Sequence, residues 1–102
     1  MIINGKEINF EYTIGAFCDY SDYCAENPDV SLTRATMHKA LAMNRAYAQA
    51  HEGAETISID EIMSLPYSKF AELMAEIKQA ENAGSARSVE SVEKKQNEEG
   101  RK

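Results

Sequence analysis

The sequence predicts a mainly α domain with a small N-terminal β-hairpin, an α+β layout with three to four helices packed on the hairpin. Three observations carry this prediction. Apolar and polar residues alternate around an Asn-Gly pair in the first twelve residues, caps and stops punctuate the middle, and the last apolar segment repeats at helical spacing.

Each element follows from local chemistry. Within Met1–Tyr12, Asn4-Gly5 is a favoured pair for a two-residue type I′ turn, because both central residues need positive φ. That turn pairs Ile3 with Lys6 and Met1 with Ile8. Met1, Ile3, Ile8, Phe10 and Tyr12 then share one face, while Glu7, Asn9 and Glu11 take the other. A lone hairpin is barely stable in water, so this apolar face must rest on helices. Thr13 is placed to N-cap a helix running to about Glu26, where Asn27-Pro28 stops it.

Ser31 or Thr33 starts a second helix, from Leu32 to His51, closed by Gly53. Its apolar arc holds Met37, Ala40, Leu41, Met43, Tyr47 and Ala48, and its alanines favour helix and permit close packing. Ser58 and Glu61 form a capping box for a short third helix, with Ile57 and Ile62 spaced for a hydrophobic staple. Pro66 interrupts that helix and suits the first turn of a fourth, which runs to about Asn82 and ends at Gly84. Tyr67, Phe70, Leu73, Met74, Ile77 and Ala80 make its apolar stripe, opposite Glu72, Glu76 and Gln79.

At 102 residues the chain is one small domain, residues 1–84, followed by a polar tail, residues 85–102. The tail holds only two large apolar residues, Val89 and Val92, and is expected to be disordered. Residues 1–84 carry 13 acids against 6 bases, whereas residues 85–102 carry 4 against 5. An acidic body repels phosphate, which argues against a nucleic-acid partner. No apolar run approaches the roughly 18 residues of a membrane span, so no membrane partner is expected. The chain opens without the charged and apolar regions of a signal peptide, so the expectation is a cytosolic protein with reduced thiols. A domain this small is expected to be marginally stable unless a partner or self-association adds to it.

The stretch "TIGAFCDYSDYC", Thr13 to Cys24, concentrates the chain's side chains of chemical interest. Six residues along a helix set the Cys18 and Cys24 Cα atoms about 9 Å apart, too far for a disulfide. Zinc sites favour Cys pairs separated by two to four residues, and His38 and His51 point apart on their own helix. No metal site is therefore expected. Ile14, Phe17, Cys18, Ser21, Cys24 and Ala25 fall in one arc of about 120°, the width of a core-facing stripe. Both thiols are accordingly assigned to the core, where free cysteine behaves as a small hydrophobe. Asp19, Asp22 and Glu26 line one flank of that arc and read as a solvated acidic face. Tyr20 and Tyr23 lie on the other flank.

Asn44 and His51 interrupt the apolar arc of the second helix. Each reads as a polar group satisfied by nearby backbone, with a register-fixing contact to another chain as the alternative. There is no phosphate loop, no nucleophile elbow and no His-Glu-x-x-His. The expectation is a non-enzymatic protein that takes no cofactor.

The order of these elements carries a resemblance. "INGKEINFEYTIGAF" leads into two helices, then comes "SIDEIMSLPYSKFAELMAEI" and a charged tail. Over residues 1 to about 84 this resembles the small tail assembly chaperones of long-tailed, siphovirus-like bacteriophages and prophages. The family has no catalytic motif, so no residue-level site is carried over. The resemblance implies two partners, the tape measure protein and the major tail tube protein, and action in the host bacterial cytoplasm. Such a chaperone needs exposed apolar or aromatic surface, sought here at Tyr20, Tyr23, Met63, Leu65 and Tyr67. The competing readings are a tail or neck component retained in the virion and a small regulator of the antitoxin type.

Overall fold

The computed structural model describes residues 1–84 in full and follows the last helix to Gly100. The elements are β1 (Ile2–Ile3), β2 (Lys6–Glu7), α1 (Ile14–Glu26), α2 (Leu32–Ala50), α3 (Ile59–Met63) and α4 (Tyr67–Gly100). This is the mainly helical α+β layout expected from the sequence.

Asn4 and Gly5 take φ of 52° and 75°, as a type I′ turn requires. Ile3 opposes Lys6 and Ile2 opposes Glu7 in an antiparallel pair. The next pair is also as expected: the Met1 nitrogen donates to the Ile8 carbonyl at 2.9 Å, and Ile8 N–H returns to Met1 at 2.8 Å. Ile3 and Ile8 are buried, while Ile2 faces outward.

Beyond Ile8 the chain leaves the ladder, although alternation alone carries the hairpin to Tyr12. Its backbone finds partners on α2 instead. Glu11 N–H donates to the Met43 carbonyl at 3.0 Å, and the Asn9 carbonyl accepts from Asn44 Nδ2 at 2.9 Å. Main-chain groups must be satisfied somewhere, and a helix with an inward asparagine outcompetes a longer two-stranded ribbon.

The helices begin where their caps dictate. Thr13 Oγ1 accepts from Ala16 N–H at 3.1 Å, Ser31 Oγ accepts from Arg34 N–H at 3.2 Å, and Ser58 and Glu61 complete the capping box. Ser31, not Thr33, is thus the cap of α2. Gly53, at φ 79°, reverses the chain after α2. The Pro66 carbonyl accepts from Lys69 and Phe70 as α4 begins.

α2 is the central element. Ala40, Leu41, Ala42, Met43 and Asn44 are all buried, so the helix is enclosed on every side there. The hairpin and its exit contribute Ile3 and Ile8, the loop before α3 contributes Ile57, and α3 and α4 contribute Ile62, Leu73 and Ile77 around it. In α4 the expected stripe narrows. Leu73 and Ile77 are buried, Phe70 and Ala80 pack at the margin, and Tyr67 and Met74 face solvent.

Gly84 corrects one expectation. It does not end the helix, since α4 continues to Gly100, and its φ is not in the left-handed region. A Cβ at this position would lie 2.9 Å from the Tyr12 carbonyl oxygen and 3.2 Å from Tyr12 Cβ. The missing side chain lets α4 press on the Tyr12 backbone. Gly84→Ala gains roughly 1 kcal/mol of helix propensity but meets backbone that cannot rotate away, at a cost of about 1–3 kcal/mol. The expected outcome is a net loss near 1 kcal/mol in urea unfolding, whereas a C-cap glycine tested for propensity alone would not report on Tyr12. The tail expected over residues 85–102 lies outside the fully described residues. Among the described residues no helix is long and apolar enough to cross a membrane.

Candidate interaction surface

α1 is rolled by about one residue from the orientation its hydrophobicity suggests. Ala16 is its buried residue, and Tyr20, Tyr23 and Cys24 are half-buried beside it. The proposed core stripe is therefore displaced: Ile14 is 84% exposed, Phe17 is 51% exposed, and Cys18 and Ala25 are exposed. Cys18 is not a core thiol, and Cys24 reaches only the edge of the packing. Both are free.

The cause lies on α2. Tyr23 stacks on His38 with ring centroids 3.7 Å apart, and the Lys39 ammonium sits 4.9 Å from the centre of the Tyr20 ring. Two rings bury more area than Cys and Ser would at the same face, and each can keep its hydroxyl at the wet margin. Lys39 also pairs with Glu81 of α4 at 3.1 Å, so one ammonium ties three helices. Burial, with Arg34 and Arg45 nearby, holds the His38 pKa below its ordinary value and favours the neutral, stacked ring. Tyr20 and Tyr23, sought as partner-binding residues, are thus engaged within the fold.

What remains outward on α1 is apolar along one strip and acidic along one flank. Ile14, Cys18 and Ala25 form the strip, and Phe17 borders it with its ring edge-to-face on Tyr12 at 6.5 Å. Asp19, Asp22 and Glu26 are exposed along the opposite border. A second exposed apolar group lies at the Pro66 break. There Met63 is half exposed, Tyr67 is 85% exposed, and Leu65 packs against the core margin. The outward strip of α1 was missed because its hydrophobicity marked it as core. An exposed Ile and Phe at i, i+3 are visible only once the roll of the helix is known.

Two polar pins join distant segments of the scaffold. Asn44, fully buried, donates to Asn9 O and to Glu55 O and accepts from Ile57 N–H at 3.0 Å. It is satisfied by backbone on two sides, as read from the sequence. His51 is exposed, stacked on Tyr47 and bonded to the Tyr47 carbonyl at 2.9 Å. The second pin is Glu61, whose carboxylate lies 2.8 Å from the Lys6 ammonium and accepts from Asn4 Nδ2 and Ser58 N–H.

The Lys6 contact, then Asn4 and the capping N–H, lower the Glu61 pKa from 4.5 to about 2. A depressed carboxylate stabilises the fold above its unfolded value, and that contribution is lost as pH falls through the folded value. The hairpin–α3 junction is therefore expected to weaken between about pH 4.5 and pH 2. Thermal unfolding followed across that window should fall less steeply for Glu61→Gln than for the native chain. Equal slopes would remove Glu61 as the acid-sensitive pin.

Among the described residues no three His, Cys, Asp or Glu side chains converge as metal ligands would. An open cleft of about 560 Å³ lies beside the Pro28 turn, lined in part by Tyr23, Glu26, Ser31 and Arg34. Comparison of the chain with protein-family models, curated proteins and solved structures finds no match in any of the three.

Proposed function

We propose that the protein is a non-enzymatic assembly chaperone of a long-tailed bacteriophage or prophage. It binds helical segments of the tape measure protein, helps recruit tail tube subunits, and acts in the host bacterial cytoplasm. The single observation that carries the reading is the exposed apolar strip of α1, headed by Ile14 and bordered by Phe17, on an acidic body. The resemblance of the sequence over residues 1 to about 84 to tail assembly chaperones supports it, and so does the exposed Met63 and Tyr67 pair. A helix laid on such a strip is held by its apolar residues at i, i+3, i+4 and i+7 while the body keeps the complex soluble.

Co-expression tests this. A neighbouring long helical gene product is produced alone, with the native chain, and with an Ile14→Asp/Phe17→Asp chain. The expected result is a soluble tape measure candidate only with the native chain. Equal solubility in all three cultures overturns the proposal.

A further inference from the structure

We infer that the outward face of α1 is a docking strip for one amphipathic helix that carries Lys or Arg along a single flank. This rests on the chaperone reading and specifies the chemistry of its partner. The strip is about 20 Å long, the rise of a thirteen-residue helix, and so accommodates one helical segment of similar length. Ile14 and Phe17 are bulky at its N-terminal end, while Cys18 and Ala25 are small farther along. The occupant's large apolar side chains therefore fit over Cys18 and Ala25 and approach the α1 backbone closely there.

Charge identifies the occupant. Asp19, Asp22 and Glu26 recur at i, i+3 and i+7 on one border only, and none of them has an ion-pair partner among the described residues. The opposite border is formed by the rings of Phe17 and Tyr12. A basic flank on the incoming helix meets these carboxylates within a Debye length, whereas an acidic flank is repelled. A second copy of this chain is disfavoured on the same ground. It brings the identical carboxylates and a body with 13 acids against 6 bases.

The test uses the full chain and two synthetic helical peptides with the same apolar stripe, one flanked by Lys and one by Glu. Fluorescence anisotropy reads affinity, and the alkylation rate of Cys18, resolved from Cys24 by peptide mass spectrometry, reads location. The expected result is at least tenfold tighter binding of the Lys-flanked peptide, weakening as salt rises from 50 to 500 mM, with Cys18 protected. Ile14→Asp should abolish binding while circular dichroism stays native, because this side chain is 84% exposed. Asp19→Lys/Asp22→Lys/Glu26→Lys should reverse the preference to the Glu-flanked peptide.

Equal binding of both peptides, binding of neither, or unprotected Cys18 overturns the inference. So does a dimer in sedimentation that Ile14→Asp dissolves, since a second copy would then own the strip. Peptide selectivity with no effect on tape measure solubility sinks the chaperone reading alone. Solubilisation of the tape measure candidate without charge selectivity sinks this inference alone.

Discussion

Asn44→Ala is expected to lower the unfolding free energy by about 3–5 kcal/mol, the largest effect of any single polar truncation in the fold. The side chain has no solvent exposure and joins two separate backbone segments to α2, the stretch at Asn9 and the Glu55–Ile57 loop. Removing it leaves the buried Ile57 N–H and the part-buried Asn9 carbonyl without these partners, each costing up to about 1–3 kcal/mol. The cavity adds to this. The Glu55 contact, at 3.4 Å, is long and contributes least. For a domain whose whole stability is about 5–15 kcal/mol, the loss is a large fraction. Urea unfolding reads it directly, with a midpoint lowered by roughly 2 M. A loss below about 1 kcal/mol would mean that water takes over the Asn44 contacts. Asn44→Asp separates the donor from the acceptor: it keeps the bond from Ile57 but turns the Nδ2 donor into a second acceptor facing Asn9 O.

Leu73→Ala should cost about 2–5 kcal/mol, whereas Ile14→Ala should stay within about 0.5 kcal/mol. Both are large apolar residues on amphipathic helices, and hydrophobicity alone ranks Ile14 with the core. Leu73 is 1% exposed and Ile14 is 84% exposed. Truncating Leu73 removes contacts from α4 to the centre and leaves a cavity lined by buried neighbours. Truncating Ile14 removes surface already in water. The pair measures the roll of α1 directly by equilibrium unfolding. Comparable losses at the two positions would place Ile14 inside and return the apolar strip to the core.

The elements were legible because their signals are local. The Asn4-Gly5 turn, the Thr13, Ser31 and Ser58 caps and the Pro66 break each depend on residues within about four positions. The role of Asn44 was legible in kind, since a buried amide in an apolar arc needs backbone partners. Which backbone it meets was not, because Asn9 lies 35 residues away in sequence. The candidate surface was partly legible. Met63 and Tyr67 are exposed at the break where they were sought, but Tyr20 and Tyr23 are occupied by α2.

What the sequence determines by itself is the set of helices, their starts, the hairpin register and the acidity of the body. Turn chemistry, capping and charge act through near neighbours or through composition. What only the tertiary structure decides is which side of an element faces inward. α1 offers two competing faces, Ile14/Phe17/Cys18 and Ala16/Tyr20/Tyr23, and periodicity cannot choose between arcs about one residue apart. The His38 ring and the Lys39 ammonium make the choice, by stacking and cation–π contact with tyrosines far away in the chain. Gly84 follows the same logic, being set by a Tyr12 carbonyl that no local pattern can reveal.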